Sequence, residues 1–155
     1  MTSGTQESTA KPIEERRSGT KKLIQTLTAE RAEMLALYCR VAGLEPFNDE
    51  KDKQTVQVLL QKFCQVLVDY IAAGHFSLYE RIVNGKERRK EVAALAERLY
   101  PTIAETTNAA MDFNDKYDCE DHCEITGKFG EDLSRLGEVL ATRIEAEDQL
   151  LKVLY

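Results

Sequence analysis

The chain has 155 residues, enough for one domain able to bury about two-thirds of its unfolded surface. At 43% hydrophobic and 31% charged, with no Trp, 8 Gly and 3 Pro, it has the make-up of a helical globular protein and excludes a low-complexity or sheet-rich one. The net charge of −6 argues against a nucleic-acid backbone as direct ligand, because that attraction needs Lys and Arg to displace counterions; a basic protein surface is the more natural partner.

Residues 1–11 are small, polar and unpatterned, and read as a disordered tail. They hold no apolar signal region, and no apolar stretch further on approaches the roughly 20 residues that cross a bilayer, so the expectation is a cytoplasmic chain with no membrane contact. Its four cysteines, Cys39, Cys64, Cys119 and Cys123, are then reduced. A first helix is expected from Pro12, with Leu23, Leu27, Met34, Tyr38 and Val41 on one stripe and Gly43 and Pro46 as its stop. A polar loop over 48–53 leads to a second helix carrying Val56, Leu59, Leu60, Phe63, Leu67, Tyr70 and Ile71. Gly74 reads as the cap that ends it. His75-Phe76 then forms a tight corner, and Ser77-Leu78-Tyr79-Glu80 has the capping-box pattern of a new short helix fading near Asn84-Gly85.

A third long helical region starts near Lys86, with Val92, Leu95, Leu99, Ile103, Ala110 and Phe113 on its stripe and a kink or break expected at Pro101. Residues 115–128 are polar and read as a connection. The last helix places Phe129, Leu133, Leu136, Leu140, Ile144, Leu151 and Leu154 on one face. Each helix is apolar on one stripe only and must bury it against the others. The expected fold is all-α: a single-domain antiparallel bundle of four long helices plus a short helix over residues 12–155.

Two charges interrupt the stripes. Arg31 lies between Leu27 and Met34, and Glu147 between Ile144 and Leu151. Either they meet as an internal polar pair across the core, or both sit near a bundle end and reach water along their flexible stems. Asp69, His75, Glu80 and Arg81 crowd the corner after the second helix. An acid–base pair of Asp69 and His75 is one reading; with no nucleophile or phosphate loop beside it, a hydrogen-bonded helix junction is the better one, and no enzyme activity is expected. Cys119-Glu120-Asp121-His122-Cys123 has too few ligands, at the wrong spacing, for a closed zinc site, so neither a metal nor another cofactor is expected.

The run Leu67-Val68-Asp69-Tyr70-Ile71-Ala72-Ala73-Gly74-His75-Phe76-Ser77-Leu78-Tyr79-Glu80-Arg81-Ile82 closely resembles the Rsd/AlgQ family. Weaker similarity extends over residues 14–154, through Glu15-Arg16-Arg17-Ser18-Gly19, Val41-Ala42-Gly43-Leu44-Glu45-Pro46, Tyr100-Pro101, Met111-Asp112-Phe113, Leu136 to Arg143, and Glu147-Asp148-Gln149-Leu150. The resemblance implies a helical, non-catalytic transcription regulator. It would bind the primary sigma factor of RNA polymerase chiefly at region 4, a helix-turn-helix that reads the −35 promoter element and docks on polymerase, with region 2 as a second contact. Such binding would act as an anti-sigma device. An alternative implied by the same resemblance is an adaptor for a sugar-phosphotransfer carrier protein or a stringent-response enzyme. Relatives often carry a Trp in the first helix where this chain has Thr26-Leu27-Thr28, so no contact through that Trp is expected. The partner-binding set expected from the family-like corner is Asp69, Tyr70, His75, Phe76, Tyr79, Glu80 and Arg81; the competing reading is that the corner only stabilises the fold.

Overall fold

The computed structural model describes residues 3–43, 50–79, 82, 89–118 and 128–154. Four long helices follow in chain order: α1 over Ser3–Gly43, α2 over Glu50–Ala73, α3 over Lys90–Tyr117 and α4 over Phe129–Leu154. A six-residue π-helix, Gly74–Tyr79, continues α2 directly. Among the described residues there is no strand.

Each helix packs chiefly on its neighbours in sequence, α1 on α2, α2 on α3 and α3 on α4, and the ring closes through a slighter contact of α1 with α4. The pairings run antiparallel. Tyr38, late in α1, donates to the Leu133 carbonyl early in α4, while Arg31 reaches Asp148 further along α4. Arg89, just ahead of α3, donates to the Val153 carbonyl at the far end of α4. Short connections between sequential helices enforce this up-and-down order.

The core divides into two halves of different chemistry. Near one end, Tyr38, Phe63, Phe113, Tyr117 and Phe129 form an aromatic cluster with centroids 4.7–6.5 Å apart and tilted or edge-on rings, the geometry their quadrupoles favour. Toward the other end, Tyr70, Tyr79, Thr106, Arg143 and Glu147 are buried together with aliphatic neighbours.

The stripes of α1, α2 and α3 face this core with small adjustments: Leu23, Tyr38, Leu59, Leu95 and Leu99 are half-buried, and Leu37, Ala96, Thr106 and Tyr117 join the buried set. In α4 the stripe is rotated. Ile144 and Leu151 are half-buried, while Arg143, Ala146, Glu147 and Leu150 take the fully buried positions. Following apolar residues alone tilts the predicted face by about one residue, because two of the positions that point inward are charged.

Four further expectations are corrected. First, α1 opens at Ser3 rather than Pro12. Residues 3–11 contain no proline, and a helix extends from a packed segment one hydrogen bond per residue. Second, Gly74 does not cap α2, no corner forms at His75-Phe76 and no helix starts at Ser77; the chain runs on through the π-helix. Gly74 is not left-handed, and its lack of a side chain serves close packing instead. Third, α3 passes through Pro101 without a break and continues to Tyr117. Proline removes the hydrogen bond to the carbonyl four residues back, that of Glu97, and both Pro101 and Glu97 are exposed, so water can take that carbonyl. Fourth, Val56–Ala73 makes an 18-residue window with a mean hydropathy of 1.2, long and apolar enough to cross a membrane by composition. It behaves as a core helix, because Gln57, Gln61, Lys62, Gln65 and Asp69 line its exposed side while Leu60, Phe63, Leu67 and Tyr70 face inward.

Candidate functional site

The segment expected to bind a partner is divided by the structure into an outer and an inner face. On α2, Asp69 is exposed, whereas its neighbour Tyr70 is fully buried. In the π-helix, His75 is exposed and Tyr79 is 1% exposed. The Phe76 side chain, Glu80 and Arg81 lie outside the described residues, as does the Cys119–Cys123 segment; Ile82 is buried. Tyr70 and Tyr79 therefore offer no side-chain surface to a partner and act as supports.

What they support is a buried ionic centre on α4. Arg143 and Glu147 are each 0% exposed and one helical turn apart, with Arg143 Nε donating to Glu147 Oε1 at 3.0 Å. Four residues is the spacing that stacks side chains on one helix face. The other helices complete the shell. Tyr70 of α2 donates to Glu147 Oε2 at 2.5 Å. Arg143 Nη1 donates to Thr107 Oγ1 at 2.7 Å and Thr106 Oγ1 at 3.3 Å, both on α3. Those two hydroxyls in turn donate to the Ile103 carbonyl. From α1, Arg31 Nη1 stands 3.7 Å from Glu147 Oε2 and 2.8 Å from Asp148 Oδ1. Arg31 and Glu147 are thus close, but each has a nearer partner, and Arg31 and Asp148 are the members of the group that reach the surface.

Isolated charges this deep would cost several kcal/mol each. Here every helix contributes one partner or more. Burial pushes the Glu147 carboxyl above the usual carboxylate range, against the opposing pull of Arg143, the Tyr70 hydroxyl and Arg31. Burial, then the Glu147 charge, raises the Tyr70 and Tyr79 phenols beyond any physiological titration. Neither phenol nor the carboxyl is exposed to a substrate, so the centre holds the helices together rather than forming an acid–base site. Gly74 belongs to the same assembly: a Cβ there would stand 3.1 Å from Arg143 Nη2, 3.5 Å from Glu147 Oε1 and 3.7 Å from Leu27 Cδ1. A Cβ here would require the guanidinium to give by a few tenths of an ångström, so glycine suits this close approach.

Above this core, Asp69 is an exposed member of an acidic group shared with α1. Burial, then the Asp69 and Glu33 carboxylates, push the Glu30 carboxyl upward. Glu33 is exposed, Glu30 is half-buried, and Glu30 Oε2 has no protein partner among the described residues. The seam between α1 and α2 therefore concentrates negative charge, and among the described residues Glu30 Oε2 has no donor. A separate groove of about 640 Å³ lies between α1 and α4, with Leu35, Tyr38, Leu140 and Ile144 along it and Asp148 and Lys152 toward one end. Among the described residues no three His, Cys, Asp or Glu side chains converge as metal ligands.

Sequence reasoning picked out Asp69 and Glu147 but missed Arg143, Thr106, Thr107 and Glu30. The signal that finds Arg143 is its i−4 spacing from Glu147 on the α4 stripe.

Residues 7–155 match the profile of the family described as "Regulator of RNA polymerase sigma(70) subunit, Rsd/AlgQ". The chain is similar to a "Regulator of sigma D" from Yersinia enterocolitica, at 35% identity over 90% of this chain and 84% of that protein. Proteins of the same name from Yersinia pseudotuberculosis and Salmonella arizonae are 33% and 32% identical, over 90% and 92% of this chain and 83% and 88% of theirs. No solved structure matches the chain.

Proposed function

The chain belongs to the Rsd/AlgQ family of regulators of the RNA polymerase sigma(70) subunit, and from that premise we propose that it binds the primary sigma factor in the cytoplasm, chiefly at region 4, through the acidic α1–α2 seam. The family is one of regulators of a polymerase subunit. The observation that carries the reading is the Glu30–Glu33–Asp69 group, in which the Glu30 carboxyl is pushed upward by burial and then by its two acidic neighbours, while Glu33 and Asp69 are exposed. A helix-turn-helix that reads DNA presents lysines and arginines to phosphates. The same side chains pair with the exposed Glu33 and Asp69 carboxylates and relieve the repulsion among the three carboxyl groups. Occupying that basic face competes with the −35 element and with docking on polymerase. His75, exposed six residues beyond Asp69, extends the contact surface, and Tyr70 and Tyr79 are buried beneath it.

Calorimetric titration of region 4 into the wild type, Asp69→Ala and Glu33→Lys, beside their melting curves, tests this. The expected outcome is a Kd raised about tenfold or more in each variant, equivalent to about 1.4 kcal/mol, with little change in melting temperature because both residues are exposed. Association rates should also fall as salt rises. Unchanged affinity in both variants removes the seam from the interface.

A further inference from the structure

The four-helix ring is thinnest between α1 and α4, which pack only slightly on one another. Two polar bridges tie them, one from Tyr38 to the Leu133 carbonyl and one from Arg31 to Asp148. The 640 Å³ groove between the two helices has Leu35, Tyr38, Leu140 and Ile144 as its floor, and Leu35, Tyr38 and Ile144 stay only half-buried there. Among the described residues, its whole lining comes from α1 and α4. Apolar surface left open along a seam in this way marks a place where another element binds.

The groove's shape selects an elongated occupant. On α4 the lining recurs at Gly137, Ala141, Ile144, Asp148 and Lys152, the three- and four-residue steps of one helix face. From Gly137 to Lys152 the helix rises about 22 Å. A small metabolite covers a fraction of that length, whereas a helix of about 15 residues covers all of it. Ala141, exposed midway along, presents only a methyl group, so a docked backbone can approach closely. This face is also distinct from the acidic seam: Leu35 follows Glu33 by two residues, about 200° around α1. The inference therefore does not rest on the sigma-binding reading.

We propose that the α1–α4 groove docks an amphipathic helix of a partner protein, one whose apolar face is followed in the next turn by lysine or arginine. The apolar turns of such a helix, with anchors at the i, i+3, i+4 and i+7 positions, cover Leu35, Tyr38, Leu140 and Ile144. Its basic turn then meets Glu145 and Asp148. Asp148 already takes a guanidinium, that of Arg31 at 2.8 Å, so this edge of α4 shows which charge it accepts. Glu145, three residues earlier, is exposed and has no ion pair among the described residues. Lys152, one turn beyond Asp148, likewise has none, and an acidic residue at the end of the docked helix complements it. A second copy of this chain is the poorer occupant, because two chains of net charge −6 repel one another.

Fluorescence anisotropy of a labelled synthetic helix of about 15 residues, titrated with the full chain, tests this. The peptide carries two turns of leucines, then arginines, then a glutamate. Its expected Kd is below about 100 µM, and a second peptide with the arginines and the glutamate exchanged should bind about tenfold more weakly. Glu145→Lys should narrow or invert that preference. Ala141→Arg, which places a long side chain in the groove, should abolish binding of the first peptide. Both substituted residues are exposed, so melting temperatures within about 2 °C of the wild type are expected and certify the fold, while the two-peptide comparison needs no variant. No binding of the first peptide at about 1 mM, equal affinity for the two peptides, or unchanged affinity in Ala141→Arg overturns the proposal. So does sedimentation velocity showing a wild-type dimer that Ala141→Arg dissociates, which would assign the face to a second copy.

Discussion

Replacing Glu147 by Leu takes the main acceptor from a guanidinium that can neither reach water nor give up its proton. Arg143 is 0% exposed and its Nε donates to Glu147 at 3.0 Å. Losing one partner of such a pair costs about 3–5 kcal/mol. For 155 residues the unfolding entropy is about 0.33 kcal/mol/K, so the melting temperature should fall by about 9–15 °C. The opposite deletion, Arg143→Met, should cost less, on the order of 2 kcal/mol or 6 °C. Its orphan is a carboxyl that keeps the Tyr70 hydroxyl and Arg31, and that burial already biases toward protonation. The double variant Arg143→Met/Glu147→Leu removes both charges and should return to within about 2 kcal/mol of the wild type, the remaining deficit coming from the Tyr70 hydroxyl. Thermal melts followed by far-UV circular dichroism measure all three. The reasoning fails if the single losses add in the double variant to within about 0.5 kcal/mol, since uncoupled residues cannot be holding each other's charge.

Four further outcomes are expected. The raised Glu147 carboxyl contributes stability that is present below its unfolded pKa and lost as pH rises through its folded value; relative to Glu147→Gln, the wild type should therefore gain stability on acidification from neutral toward pH 4.5, and a parallel pH profile for the two would refute the assignment. Asp132 shows the opposite sign: Lys116 and the Tyr117 hydroxyl hold its carboxyl below the usual range, so its contribution is present above that range and fades as pH falls through the folded value, and Asp132→Asn should flatten that acid limb. At Gly137, a Cβ would overlap the Tyr38 hydroxyl, which donates to Leu133; Gly137→Ala should destabilise by about 1–3 kcal/mol although Ala is the better helix former, and the penalty should shrink in a Tyr38→Phe background. Burial, then the Asp118 charge, pushes the Cys64 thiol up to about 12, whereas Cys39 is exposed; iodoacetamide should label Cys39 rapidly in the native protein and Cys64 only on unfolding, so fast labelling lost in Cys64→Ser would contradict this packing.

The periodicity of apolar residues determined the four long helices, most of their inward faces and the antiparallel order, because burying an amphipathic stripe leaves a chain with short connections few other arrangements. The segment from Leu67 to Ile82 also pointed to the family, and through it to the kind of partner. Three features were decided only in three dimensions. Arg143 reads on the page as a surface residue of α4, since a charge marks the edge of a stripe. It is buried because Thr106 and Thr107, from a different helix, and Glu147 together replace its water. Gly74 reads as a helix stop, because glycine is the usual terminator; the close approach of Arg143 gives it a different purpose, and no local pattern encodes that. Asp69 and Tyr70, adjacent in one motif, were grouped as one binding surface, yet successive residues of a helix point about 100° apart, and the pairing of Tyr70 with Glu147, 77 residues away, fixes which of them faces water. Helix and stripe are local properties that a sequence displays directly. A buried charge is tolerated only when partners from distant positions converge on it, and that convergence belongs to the tertiary structure.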